Sequence, residues 1–258
     1  MDAFETPQKS IDWALKCLEN GARASKWYLD NKAFTHVVEE DLVGTRTAKL
    51  KMVSNPSPEI EGNFTNAFVS IKHSFDQSLF AAAQVVGCHR FDKPYPWADS
   101  YVGLKGIIDK RQRKPDTTLP DILIDEIWRQ EPYATRPGFS GGNDLVREIA
   151  KVSNDKHTIG FTVGAKVVSM TIPPGSFLRS DTIGARASFD FSWDSIKKEL
   201  IISVATKGAS AVYDNAAISC DIFLERAGDI GKIPVFILIT DFAKKAQVVL
   251  DGFKAVCT

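Results

Sequence analysis

An α+β fold, with a helical bundle that carries an inserted β-hairpin ahead of an antiparallel sheet, is predicted by three observations. Apolar residues recur at helical spacing through most of residues 7–155, interrupted by one short stretch that alternates. Beyond His157 the alternating pattern takes over. A final helical stripe at 234–254 supplies a cover for the sheet. Period 3.6 marks a helix with one buried face, and period 2 marks a strand with one buried face.

Residues 7–30 open the bundle. Pro7 suits a first turn, and Ile11, Leu15, Leu18, Ala22 and Leu29 recur at helical intervals. The next segment, "FTHVVEEDLVGTRTAKLKMV", reads as two strands joined near Asp41 to Thr45, with Gly44 supplying the turn. A long helix follows "NPSPE" and closes at Gly87. Its stripe of Ile60, Phe64, Phe68, Ile71, Phe75, Leu79, Ala82 and Val86 steps by threes and fours, as expected of the central helix of a bundle. Short helices are predicted at 98–112, 119–130 and 144–155, with "RPGFSGGND" as a loop. Three runs then alternate: Ile159 to Val167, Phe189 to Trp193, and Ile218 to Leu224. "KELIISVAT" reads as a strand buried on both faces. The expected division is 1–157 for the bundle with its hairpin and 158–258 for the sheet with its covering helix.

Composition bounds the function. A length of 258 residues fits one large or two intimate domains. Lys plus Arg and Asp plus Glu number 32 each, so no cationic excess drives non-specific binding to a polyanion. RNA as a partner therefore draws no support from net charge. Cys17, Cys88, Cys220 and Cys257 lie far apart, without a C-x-x-C pair, and read as free thiols of a reducing compartment. The start "MDAFETPQKS" lacks a signal-peptide pattern, and no apolar run reaches the length of a membrane span, so a cytoplasmic location is expected and no membrane association. His36, His73, His89 and His157 have no metal-ligand spacing, and no metal or cofactor is expected. Ser140 in "GFSGG" lacks the G-x-S-x-G elbow, and the same loop lacks the spacing of a phosphate cradle.

The polar residues within the central helix need an explanation. At 100° per residue the stripe centres near Ile71 and Phe75, which puts Lys72 and Asp76 on its shoulder, about 65° and about 105° away. They are four apart and able to pair. His73 and Gln77 fall on the opposite face with Phe80, a large aromatic that calls for partial cover there.

The run "NAFVSIKHSFDQSLF", residues 66–80, resembles the central helix of a broad, poorly characterised bacterial family with the pattern N-x-x-x-x-R-S-A-L-D-H-L-A. "SNDKHTIGF", residues 153–161, stands where that family has a helix ending in I-D-K-H-R. The order of parts is also similar over nearly the whole chain. The R-x-x-x-x-H element is similar to that of the HEPN superfamily, helical bundles in which this Arg and His cleave RNA in the cleft of a dimer. The resemblance implies a HEPN-like bundle and a homodimer. Here the Arg position is Lys72, a point charge without a bidentate fork, and the His position is Gln77, which cannot exchange a proton. The Asn positions before D-K-H are Val152 and Ser153, and the following Arg is Thr158.

Asp76, Asp155, Lys156 and His157 remain as a polar group. Lys156 and His157 complement the carbonyls of a helix end. A sharper expectation is that Asp76 meets Lys156 or His157 in a buried bridge that serves fold specificity. The functional expectation is a non-catalytic or catalytically degenerate binding protein, with catalytic residues unknown. The alternative is a metal-independent ribonuclease in which Lys72 holds phosphate and His73 or His157 carries the proton. A third is a small-molecule enzyme whose pocket the sequence does not announce.

Overall fold

The computed structural model describes the chain save residues 1, 32, 138–139, 159–161, 172–175, 195, 213–216 and 226–227, and the side chains of 153–158, 170, 177, 212, 217–218 and 228–229. It is an α+β structure. Two compact units are present: Met1–Ala22, Glu59–Thr162 and Ala227–Thr258 form the first, and Arg23–Pro58 with Val163–Arg226 the second. Among the described residues no helix is long and apolar enough to cross a membrane.

The first unit is helical. It contains the start of α1 (Glu5–Asn31), then α2 (Pro58–Val85), α3 (Tyr101–Gln112), α4 (Asp121–Gln130), α5 (Asp144–Thr158) and α6 (Val235–Val256). The α2 stripe forms its core: Ile60, Phe64, Phe68, Ile71, Phe75 and Leu79 are all buried. Phe64 meets Phe236 edge-on at 5.2 Å, and Phe68 meets Phe242 at 5.7 Å, so α6 lies along α2. Each such buried phenyl contributes on the order of 2 kcal/mol relative to exposure. Gly21 of α1 allows close approach, since a Cβ there would stand 2.6 Å from the Phe64 ring. α2 ends where Gly87 adopts φ +87° and the Cys88 N–H bonds the Ala83 carbonyl at 2.8 Å.

The second unit is built on antiparallel strands. β1 (Phe34–Glu40) and β2 (Arg46–Met52) form the expected hairpin, with Gly44 at φ +84° in its turn and the Asp41 carboxylate accepting the Val43 and Thr45 amides. β3 (Val163–Thr171) precedes β4 (Phe177–Ser180), β5 (Ala187–Phe189), β6 (Trp193–Asp194), β7 (Glu199–Ala205), β8 (Ala209–Val212) and β9 (Ala217–Leu224). β7 is central, pairing with β2 on one side and with β5 and β6 on the other. β3 pairs with β9, and β4 with β8. Leu50, Leu200 and Ile202 form a small core, with Phe34, Val167 and Trp193 against it.

Three expectations are corrected. The boundary at residue 157 gives way, because the hairpin edge β2 bonds to β7 and so belongs with the later strands. The last helix, expected to cover the sheet, lies in the first unit, because its phenylalanines pack on α2. The alternating run Phe189–Phe191–Trp193 is not one strand. Phe189 pairs with Ser203 and Trp193 with Leu200, which leaves three residues opposite two. That β-bulge breaks the alternation. Phe191 is consequently 46% exposed, stacked on Phe189, and not a core residue. Of the run expected from Ile159, the first residues lie outside the described ones, and the described strand starts at Val163.

Candidate functional site

The shoulder of α2 carries the first polar group. Lys72 Nζ donates to Asp76 Oδ2 at 2.8 Å, both side chains about a quarter exposed at 24% and 23%. Asp76 Oδ1 accepts the Tyr95 backbone N–H at 2.9 Å, which fastens the segment 93–98 onto the helix. Tyr95 and Trp97 pack on Phe75 with centroids 5.3 and 4.9 Å away. Arg111 donates to the Pro94 carbonyl at 2.8 Å. Burial lowers its pKa, and the Asp76 charge works against that shift.

On the other face, Gln77 accepts a hydrogen bond from Ser10 of α1 at 2.7 Å. His73 is exposed, and Phe80 is 48% exposed. Asp155, Lys156 and His157 fall in the last turns of α5, and their side chains lie outside the described residues, as does the expected bridge to Asp76. Asp76 thus spends one oxygen on Lys72 and the other on a backbone amide. Lys72 can hold a phosphate only in competition with that carboxylate.

A second polar group joins α4 to α6, and sequence reading missed it. Glu126 is 3% exposed, yet its carboxylate accepts from Arg129 Nε at 2.7 Å, Arg129 Nη2 at 2.9 Å and Gln130 Nε2 at 2.6 Å. Lys245 of α6 donates to Gln130 Oε1 at 2.9 Å. Burial lowers the Lys245 pKa, opposed by the charge of Glu126. The donors to the acid all lie on α4, and it is Gln130, held by Glu126, that makes the bond to α6. The sequence signal was an acid placed between Leu123 and Ile127 in an apolar stripe.

The concave site lies elsewhere in the first unit. A pocket of about 610 Å³ is lined by Ser100, Tyr101 and Val102 at the start of α3 and by Glu131, Tyr133, Ala134, Arg136, Ser140 and Gly141. Local rules build its walls. Ser100 caps α3, its hydroxyl accepting the Gly103 N–H at 3.2 Å. Glu131 ends α4 in the left-handed region, φ 47° and ψ 56°, which costs a residue with a Cβ on the order of 1 kcal/mol. The Ala98 N–H bonds the Pro132 carbonyl at 3.0 Å, and the Asn143 N–H bonds the Tyr133 carbonyl at 2.8 Å. Glu131 Oε2 accepts the Gly142 N–H at 3.2 Å, and Asp144 accepts from the Thr135 amide at 2.8 Å and from its hydroxyl. Gly142, at φ +98°, has no room for a side chain, since a Cβ would stand 2.9 Å from the Thr135 nitrogen.

Aromatic rings form one wall. Tyr101 lies 5.0 Å from Trp128 and meets Tyr133 edge-on at 5.9 Å. The Tyr133 hydroxyl has a raised pKa because burial penalises the phenolate and the Glu131 charge stands beside it. Ser140, considered in the sequence as a nucleophile, lines this pocket. Tyr101, Glu131, Tyr133 and Arg136 carried no motif. The only sequence signal was a glycine-rich loop between two helices.

A smaller concavity of about 380 Å³ in the second unit is lined mainly by small side chains of β2, β7 and β8, with His36 and Arg46. Among the described residues no three His, Cys, Asp or Glu side chains gather as a metal set. The four cysteines are free thiols. The chain matches no protein-family model, no curated protein and no solved structure.

Proposed function

We propose that this chain is a non-catalytic binding protein whose ligand site is the pocket between the start of α3, residues 131–136 and residues 140–141. The observation that carries the reading is the pocket itself: about 610 Å³, walled by aromatic rings and held by hydrogen bonds on both flanks. That volume suits a small organic ligand, and preformed pockets with few placed polar groups are the usual form of such sites. The left-handed Glu131 adds support, because local backbone strain clusters at binding sites. The likeness carried by residues 66–80 adds pairing of two copies, with Phe80 and the face of His73 and Gln77 at the contact.

The test is a fragment screen by ligand-observed NMR on the full chain, repeated with Val102→Trp, which places a large ring at an exposed lining position, and with Tyr101→Ala. Binding that both substitutions weaken at least tenfold supports the reading. Absence of any binder, or binders indifferent to both changes, overturns it. Labelled RNA cleaved without metal, with the cleavage lost in Lys72→Ala, would restore the ribonuclease alternative instead.

A further inference from the structure

The charges of the pocket say which ligands it takes, an inference that rests on the binding reading above. Its one carboxylate is already engaged. Glu131 accepts the Gly142 amide and interacts with the Tyr133 hydroxyl, and its charge is felt at Lys245. Its one cation is not. Arg136 is exposed and makes no hydrogen bond or ion pair among the described residues. Glu131 keeps its negative charge, so the lining is not cationic overall, and the charged group left to meet a ligand is the Arg136 guanidinium, whose planar fork matches a carboxylate or phosphate.

The ring wall sets the shape. Tyr101 is half exposed at 50%, and its contacts with Trp128 and Tyr133 brace it. A braced, half-open ring of this kind favours a planar partner by offset stacking. Ser140 adds a hydroxyl to the lining, and the Tyr101 and Val102 amides at the start of α3 have no carbonyl partner within their helix, while that of Gly103 is taken by Ser100. Both are compatible with an anionic group.

We infer that the pocket binds a small planar aromatic ligand bearing one anionic group, with the ring against Tyr101 and the anion at Arg136. A charge-assisted hydrogen bond of the expected strength gives about tenfold or more in affinity over an uncharged analogue.

The experiment titrates the full chain by calorimetry with matched probes: indole-3-carboxylate and its neutral amide, adenosine monophosphate and adenosine, and the cation benzamidine. The expected result is that at least one acid binds about tenfold tighter than its neutral partner. That preference should vanish in Arg136→Gln and survive in part in Arg136→Lys, while Tyr101→Ala weakens acid and neutral partner alike. The carboxylate and phosphate arms tell the two anion classes apart. Equal affinity for acid, neutral and cationic probes, or a preference unchanged by Arg136→Gln, overturns the inference while leaving the pocket as a binding site. No binding by any aromatic probe overturns it as well, and only the fragment screen then decides whether the binding reading survives. Because Arg136 is exposed, its variants should keep the wild-type melting temperature, and a lost preference then reports on the ligand contact.

Discussion

Asp76 holds two elements with one carboxylate, and its removal strands both donors. The Tyr95 amide and the Lys72 ammonium lose their acceptor, and the partly buried Arg111 loses a compensating charge. Asp76→Ala should therefore destabilise the protein by about 1–3 kcal/mol. Asp109→Ala breaks an exposed pair with Lys105, which solvent screens, and should leave stability nearly unchanged. Urea denaturation of the two variants side by side decides the matter, and equal midpoints would refute it. Tyr28 offers a test by pH. Its hydroxyl donates to the Ser54 carbonyl at 2.6 Å, and burial pushes its pKa up to about 12. The unfolded phenol titrates near about 10, so the fold holds this proton more tightly than the open chain does. The resulting stability is complete below about pH 10 and is lost as pH rises towards about 12. Tyr28→Phe should flatten the loss of stability over that window. Tyr95, whose pKa burial also raises, acts in the same direction, so the flattening is partial.

At the scale of elements, the pairing of β2 with β7 contains a buried charge pair. Lys49 Nζ lies 3.0 Å from Glu199 Oε1, with side chains 13% and 5% exposed, and 2.7 Å from Glu39 on β1. Lys49→Met leaves Glu199 buried without its cation, at a cost of about 3 kcal/mol or more. Chemical denaturation measures that cost, and amide exchange in β2 and β7 should quicken with it. A change below about 1 kcal/mol would show that Glu199 finds water or another partner. Sequence patterning marked β7 as a fully buried strand and so located Glu199, but not the lysine about 150 positions away that neutralises it. The same gap explains the Phe189–Trp193 run. Alternation is a property of a continuous ladder, and the extra residue opposite β7 resets it. The long helix α2 was legible because its stripe depends only on spacing along one helix.

For the whole molecule, the proposed pairing predicts a dimer in sedimentation at micromolar concentration, driven by burial of the exposed Phe80. Phe80→Glu should shift it to monomer without lowering its melting temperature, and a monomeric wild type would end the pairing proposal. The chain by itself determined the helices, the Gly44 turn, the neutral charge balance and the reach of Lys72 to Asp76. Each of these depends on residues a few positions apart or on composition. Tertiary structure decided the rest. It put the hairpin with the late strands and gave the second Asp76 oxygen to Tyr95. It also drew Tyr101 beside Tyr133 and Arg136 to make a pocket. Which strand edge or loop meets which depends on closing long stretches of chain, and local periodicity carries no record of that closure.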